Sequence, residues 1–219
     1  MTWSLSSNAL VLANLLLLLC LFAYLLGKIR RHMSVLFFAL SLIPIIVFTF
    51  GHYLFVNMTD GAGGATLLVF GVLLTPVTIV PLTHHLSQAF TTRHQPFWIG
   101  FYVVQAALLA ILTHGIINGR IIEWVTGILE QPIIVIEQAW CYYFLNVIAS
   151  NAIALLYLDK TLQHASKASR EKLKFVFISY LGFTAYFSYL SVQIILSSYI
   201  ALSTLQSGGA VIACALILL

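Results

Sequence analysis

Apolar residues run through this chain in seven long blocks, separated by short stretches that are polar, basic or rich in turn formers. A helix needs about 20 apolar residues to cross the hydrocarbon core of a bilayer. The pattern predicts spans at 8–27, 33–56, 65–85, 97–115, 137–158 and 175–199. The first stops at the cluster Lys28, Arg30, Arg31 and His32, and the second at a turn-rich segment with Asp60, Gly61, Gly63 and Gly64. The fourth begins just after Pro96, and the fifth lies in an apolar stretch that opens at Pro132. A last block, 208–219, offers 12 residues, too few to cross at about 1.5 Å per residue. The expected fold is an all-α, polytopic transmembrane helix bundle of six complete spans plus a seventh truncated at the C-terminus. It forms a single integral membrane domain over 1–219, with a cytoplasmic domain expected beyond 219.

Composition sharpens this picture. Of 219 residues, 61% are apolar and 7% charged, with a mean hydropathy of +1.03. A soluble domain carries about a quarter charged residues, so a soluble enzyme, a disordered tail and a nucleic-acid module are excluded. The net charge of +4 reports topology before partners. With the N-terminus outside, nine of the ten lysines and arginines fall in cytoplasmic segments: Lys28, Arg30, Arg31, Arg93, Lys160, Lys167, Arg170, Lys172 and Lys174. The outer segments keep Arg120 beside Asp60, Glu123, Glu130 and Glu137. This asymmetry orients the chain in a plasma membrane and sets the basic side against anionic lipid. The N-terminus lacks the basic region of a secretory signal, so the first block reads as a retained span. Cys20, Cys141 and Cys214 sit in apolar runs at no metal-ligand spacing and read as small packing residues.

Two connections carry patterns of their own. In 116–131, Ile117, Ile121, Trp124 and Ile128 step by four, three and four, with Arg120, Glu123 and Glu130 between them. That is an amphipathic helical period, suited to the membrane interface. The segment 159–174 is polar, basic and good at forming helix, and it extends the fifth span or leads into the sixth.

Candidate chemistry centres on the fifth span. Glu137, the one carboxylate in an apolar run, falls at its outer rim; it is either the polar anchor of an outward-facing pocket or a hydrated interfacial residue. Below it Gln138, Tyr142, Asn146 and Ser150 repeat every four residues, with Asn151 one position on. Amides in hydrocarbon need partners, so this face turns inward, as a cavity wall or as glue between helices. Gln105 and Gln193 are possible partners, and His52 and Gln193 are placed opposite as members of the candidate ligand pocket. His52 and His114 both fall toward outer ends, which leaves haem a minor possibility. His84, His85 and His94 belong to the cytoplasmic side. Pro44, Pro76 and Pro81 lie inside spans and tend to bend them. Thr184 and Ser188 form a small-xxx-small pair on the sixth span. Asn57, Met58 and Thr59 form a glycosylation sequon by pattern alone. Zinc-protease, phosphate-loop and serine-triad patterns are absent.

The order of these parts resembles the N-terminal seven-span sensor region of bacterial membrane histidine kinases, those of the PEP-CTERM/exosortase system most closely. The resemblance rests on Pro81 followed by Leu82, Thr83, His84, His85, Leu86 and Ser87. It rests also on the basic stretch from Ser169 through Arg170, Glu171 and Leu173 to Lys174, and on a following span with Gly182, Tyr186 and Tyr189. It implies a membrane input domain that perceives a small or lipid-like signal. It further implies a homodimer, and a cytoplasmic domain that moves phosphate from ATP to a histidine and then to a response regulator. No catalytic motif of such a kinase lies in these residues, so no catalytic residue carries over, and ATP belongs only to the domain expected beyond 219. The rival readings are a small transporter, an integral subunit of a larger membrane complex with or without haem, and a lipid-modifying enzyme.

Overall fold

The computed structural model describes residues 3–28, 33–57, 62–88, 97–118, 122–126, 132–141 and 143–218. The chain is a helical bundle with a small sheet at one end. Its elements are α1 (Trp3–Lys28), α2 (Met33–Asn57), α3 (Ala62–Gln88), α4 (Phe97–Ile117), β1 (Ile122–Thr126), β2 (Pro132–Ile136), α5 (Gln138–Cys141), α6 (Tyr143–His164), α7 (Lys167–Ser197), β3 (Tyr199–Ala201) and α8 (Leu202–Leu218). Four helical segments are long and apolar enough to cross a membrane: Asn8–Lys28, Val35–Asn57, Gly63–Ser87 and Lys167–Ser197. Gly100–Gly115 of α4 and Ser203–Ile217 of α8 are apolar but shorter. The 22-residue α6 is broken up by Asn146, Ser150, Asn151, Asp159 and Lys160.

Successive helices alternate in direction, which gives the bundle two ends. Lys28, Lys160, Lys167, Arg170 and Lys174 gather at one, the basic end; the strands gather at the other, the sheet end. Each helix buries one stripe and turns apolar residues outward as well. In α1, Val11, Asn14, Leu15 and Leu18 are buried at helical spacing while Leu12, Leu16, Leu17 and Leu19 are exposed. On α7 and α8, Leu196 and Ile217 are 80% and 82% exposed. Side chains this apolar on the outside suit a lipid surround, where burial alone no longer separates inside from outside.

Small residues set the tightest contact. α2 and α3 form a hairpin whose backbones meet at Gly51, Gly64 and Gly71, and a Cβ on Gly71 would lie 2.6 Å from the Phe48 amide nitrogen. Without a hydrophobic drive between helices in lipid, such close approach lets dispersion hold the pair together. α6 lies between α3 and α7, with His84 of α3 edge-on to Tyr157 at 5.6 Å. α8 wedges between α1 and α7. There Asn14 Nδ2 donates to the Gly209 carbonyl at 2.9 Å, and the Tyr186 hydroxyl donates to the Thr204 carbonyl at 3.3 Å. Aromatic rings of α2 and α7 fill the middle, Phe48 packing at 5.3 Å on Phe187 and 5.8 Å on Tyr186.

The sheet adds three short strands to the helical bundle and corrects one expectation from the sequence, the amphipathic helix over 116–131, which is a strand at 122–126. β1 pairs antiparallel with β2, from Ile122 opposite Ile136 to Thr126 opposite Pro132. β2 then pairs antiparallel with β3, Val135 opposite Tyr199. The run Ile133, Ile134, Val135, Ile136 is β-branched throughout, and such side chains fit a pleated strand better than a helix. Of the residues that carried the helical period, Ile117 ends α4 and Trp124 lies in β1. Residues 119–121 and 127–131 of that segment lie outside the described residues. The fifth apolar stretch therefore opens with a strand, and the long helix that follows begins at Tyr143. The basic segment 159–174 is helical at both ends, as its composition predicts: α6 runs through Asp159 and Lys160 to His164, and α7 starts at Lys167 and leads into the apolar run. Ser166 caps α7, its hydroxyl accepting from the Ser169 amide at 3.3 Å.

Candidate functional site

The polar face of α6 is spent largely on neighbouring helices. Gln105 on α4 and Asn146 exchange two side-chain hydrogen bonds, each 2.8 Å. Five residues on, Asn151 is buried, and its Nδ2 donates to Ser188 Oγ at 3.0 Å and to the Thr184 carbonyl at 3.3 Å. Thr184 and Ser188, singled out in the sequence for close packing, thus receive an amide from α6. Four buried side-chain atoms have no hydrogen-bond partner among the described residues: Thr75 Oγ1, the Tyr143 hydroxyl, Asn151 Oδ1 and Gln193 Oε1.

The six residues predicted to line a pocket are placed as follows. Glu137 is exposed in the link between β2 and α5, where its carbonyl accepts from the Trp140 amide at 2.9 Å. Gln138 is exposed at the start of α5. Tyr142 lies outside the described residues. Asn146 is half-buried and committed to Gln105. His52 is buried in α2, and Gln193 is half-buried in α7. Among the described residues no hydrogen bond joins Glu137, His52 or Gln193 to Asn146.

One cavity near these residues escaped the sequence reading. It opens at the sheet end between α4 and α5, encloses about 460 Å³, and is lined by Ala110, Ile111, His114, Gly115, Asn118 and Trp140. His114 Nε2 and Asn118 Nδ2 lie 3.0 Å apart, one turn from each other at the end of α4. That spacing is visible in the sequence, since a histidine and an asparagine four apart on a helix share a face. Trp140 is not readable as its opposite wall, because α5 reaches α4 only through the fold. The cavity offers an apolar body with an imidazole and a carboxamide at its rim, a chemistry suited to a small amphipathic molecule. Among the described residues no three His, Cys, Asp or Glu side chains come together as a metal-ligand set.

Comparison with known protein families, with curated proteins and with solved structures finds no match for this chain.

Proposed function

We propose that the chain is the membrane input domain of a signalling protein of the sensor histidine kinase type, with the cavity beside Trp140 as its signal-binding site. In this reading the N-terminus and the sheet end face outward and the basic end faces the cytoplasm. The helices α1 to α4, α6 and α7 are its six spans, with α8 the beginning of a seventh.

One observation carries the reading: the sheet ties the cavity wall to a helix that runs the whole depth of the bundle. Trp140 sits on α5, which follows β2 directly. The Ile136 amide at the end of β2 donates to the Ser198 carbonyl at 2.8 Å, and Cys141 Sγ lies 3.6 Å from Ser198 Oγ. Ser198 closes α7, whose 31 residues reach back to Lys167 at the basic end, a length of about 46 Å at 1.5 Å per residue. A ligand that packs against Trp140 pushes on α5 and β2, and the β2–β3 ladder passes the push to α7. A bound molecule shifts such a bundle only through different affinities for two packings. Small displacements are amplified because packed interfaces are bistable. The response would leave the membrane at Lys167 and Arg170. A homodimer, ATP-dependent histidine phosphorylation and a response regulator complete the proposal.

The test uses the whole gene product in inverted membrane vesicles supplied with radiolabelled ATP. Incorporation of acid-labile phosphate, altered by filling the cavity with Ala110→Trp, is the expected result. No phosphate incorporation removes the kinase reading. Incorporation that ignores Ala110→Trp removes the cavity from it.

A further inference from the structure

The cavity beside Trp140 is graded along its length. Five of its six lining residues, Ala110, Ile111, His114, Gly115 and Asn118, come from one stripe of α4. From Ala110 to Asn118 that stripe covers about 12 Å at 1.5 Å per residue, roughly the length of ten extended methylenes. The end nearer the middle of the bundle is apolar, and Ile111 there is 57% exposed, so the slot opens sideways toward lipid. The other end, at the sheet, carries His114 and Asn118, both exposed. A molecule that follows this gradient lies with its tail toward the bilayer centre and its head toward the sheet, as an amphiphile lies in a leaflet.

The groups at the head end select a charge. Asn118 Nδ2 lies 3.0 Å from His114 Nε2. An amide nitrogen only donates, so Nε2 accepts in this contact, and Asn118 Oδ1 is left as an acceptor with no partner among the described residues. Trp140, the sixth wall residue, rests on the hydrophobic core on one side and borders the cavity on the other. Of the aromatic side chains, tryptophan attracts a cation most strongly. Every described lysine and arginine stands at the opposite, basic end of the bundle: Lys28, Lys160, Lys167, Arg170, Lys172 and Lys174. On the sheet side Arg120 is outnumbered by Asp60, Glu123, Glu130 and Glu137, a balance that draws cations and repels anions. An anionic headgroup would give up water here without a described cation to replace it. An ammonium finds an indole and a carboxamide oxygen.

We propose that the cavity binds an amphipathic amine, its ammonium group held between Trp140 and Asn118 and its alkyl tail laid along Ala110 and Ile111. The assignment rests on the reading of this cavity as the signal-binding site, and it adds the chemical class of the signal.

The experiment uses the whole chain with Trp3→Phe, Trp98→Phe and Trp124→Phe, which leaves Trp140 as its one tryptophan, in phosphatidylcholine nanodiscs. It is titrated with decylammonium, decyltrimethylammonium, decanol and decanoate, each counted by its concentration in the bilayer, and Trp140 emission is followed. Both ammonium compounds are expected to give a saturable change at several-fold lower concentration than decanol, with decanoate weakest. Asn118→Leu, an exposed change at the end of α4, should weaken decylammonium several-fold. It should leave decyltrimethylammonium, which has no N–H to donate, unchanged. Ala110→Phe, which fills the slot, should abolish the saturable change for all four. A saturable change that Ala110→Phe abolishes, but in which decanol or decanoate binds as tightly as decylammonium, keeps the cavity as a binding site and overturns the amine. A decylammonium response that Asn118→Leu leaves intact overturns the placement of the head. No saturable change with any of the four, or one that Ala110→Phe leaves intact, removes the cavity as a binding site, and both the signal site and its amine fall.

Discussion

Gln105 and Asn146 hold α4 to α6 by giving and taking one amide hydrogen bond each, both 2.8 Å. α4 needs such a tether. It packs mainly along α3, and Val103, Val104 and Ile111 on its outer side are more than half exposed. The bond is reciprocal, so neither amide retains an unsatisfied pair of groups facing its partner.

Replacing one member is therefore expected to cost more than replacing both. Gln105→Leu leaves the Asn146 amide in an apolar interface, at about 1–3 kcal/mol for an unsatisfied buried group. The double change to leucine removes both amides and should cost less than the sum of the single changes. The coupling energy should be about 1 kcal/mol, in the range of hydrogen bonds between membrane helices. Reversible unfolding in mixed micelles, run as a double-mutant cycle, measures it. Strict additivity of the two single changes would show that the pair contributes nothing of its own.

The α2–α3 hairpin should be intolerant of the smallest side chain. A Cβ at Gly51 or Gly64 falls into the backbone of the facing helix, which cannot step aside as a flexible side chain can. Gly64→Ala is expected to separate the helices and lower stability by roughly 1–3 kcal/mol, as overpacking does. Gly63→Ala one position away meets open space, and should stabilise the chain by about 0.5–1 kcal/mol through helix propensity. Thermal unfolding in detergent distinguishes the two. Equal effects at the adjacent glycines would contradict the close packing.

These particulars mark how far the sequence could be read. The bundle was legible because apolar runs as long as 175–199 have few other fates, and Asn146 and Gln105 stood out as amides that hydrocarbon forces to pair. The strands were not legible. Pro132–Ile136 is parted from the helical stretch behind it only by Glu137 and Gln138, and that polar pair reads equally well as the outer rim of a span, so it does not mark the end of a strand. Lys167 to Lys174 is helical but not apolar, so the sequence shows it as a helical lead into the sixth span and not as part of the apolar run, because hydropathy locates the membrane, not the helix. The cavity beside Trp140 depends on α5 meeting α4, a tertiary contact with no trace in periodicity. The three glycines of the hairpin carry meaning only once it is known that Gly51 faces Gly64.

Ser198 is the one non-glycine residue with a positive φ, +58°, among those described. It ends α7 in the left-handed region, its amide donating to the Ile194 carbonyl at 2.8 Å. A side chain there costs on the order of 1 kcal/mol relative to glycine. Ser198→Gly should therefore stabilise the turn into β3 by about 0.5–1 kcal/mol, and Ser198→Val should destabilise it by more. Ser198→Ala isolates the loss of the Cys141 contact. Unfolding midpoints in the order glycine, serine, valine, from highest to lowest, are expected. A midpoint for valine at or above that of serine would contradict the left-handed cap.

The orientation proposed for the bundle is argued from charge and is open to direct labelling. Nine of the ten lysines and arginines lie on one side of the predicted spans, and cytoplasmic segments are the ones that hold such an excess. Glu137 at the sheet end and Ser169 at the basic end are both exposed, so a cysteine at either would meet a water-soluble reagent. Cys20, Cys141 and Cys214 can first be changed to alanine to clear the background. On intact cells a membrane-impermeant maleimide should label Glu137→Cys and spare Ser169→Cys, and inverted vesicles should reverse the pattern. The two positions test each other, because a reagent that leaks labels both and a failed reaction labels neither. Labelling of Ser169→Cys alone from outside would turn the molecule over, and the cavity beside Trp140 would then face the cytoplasm, where it could not receive an external signal.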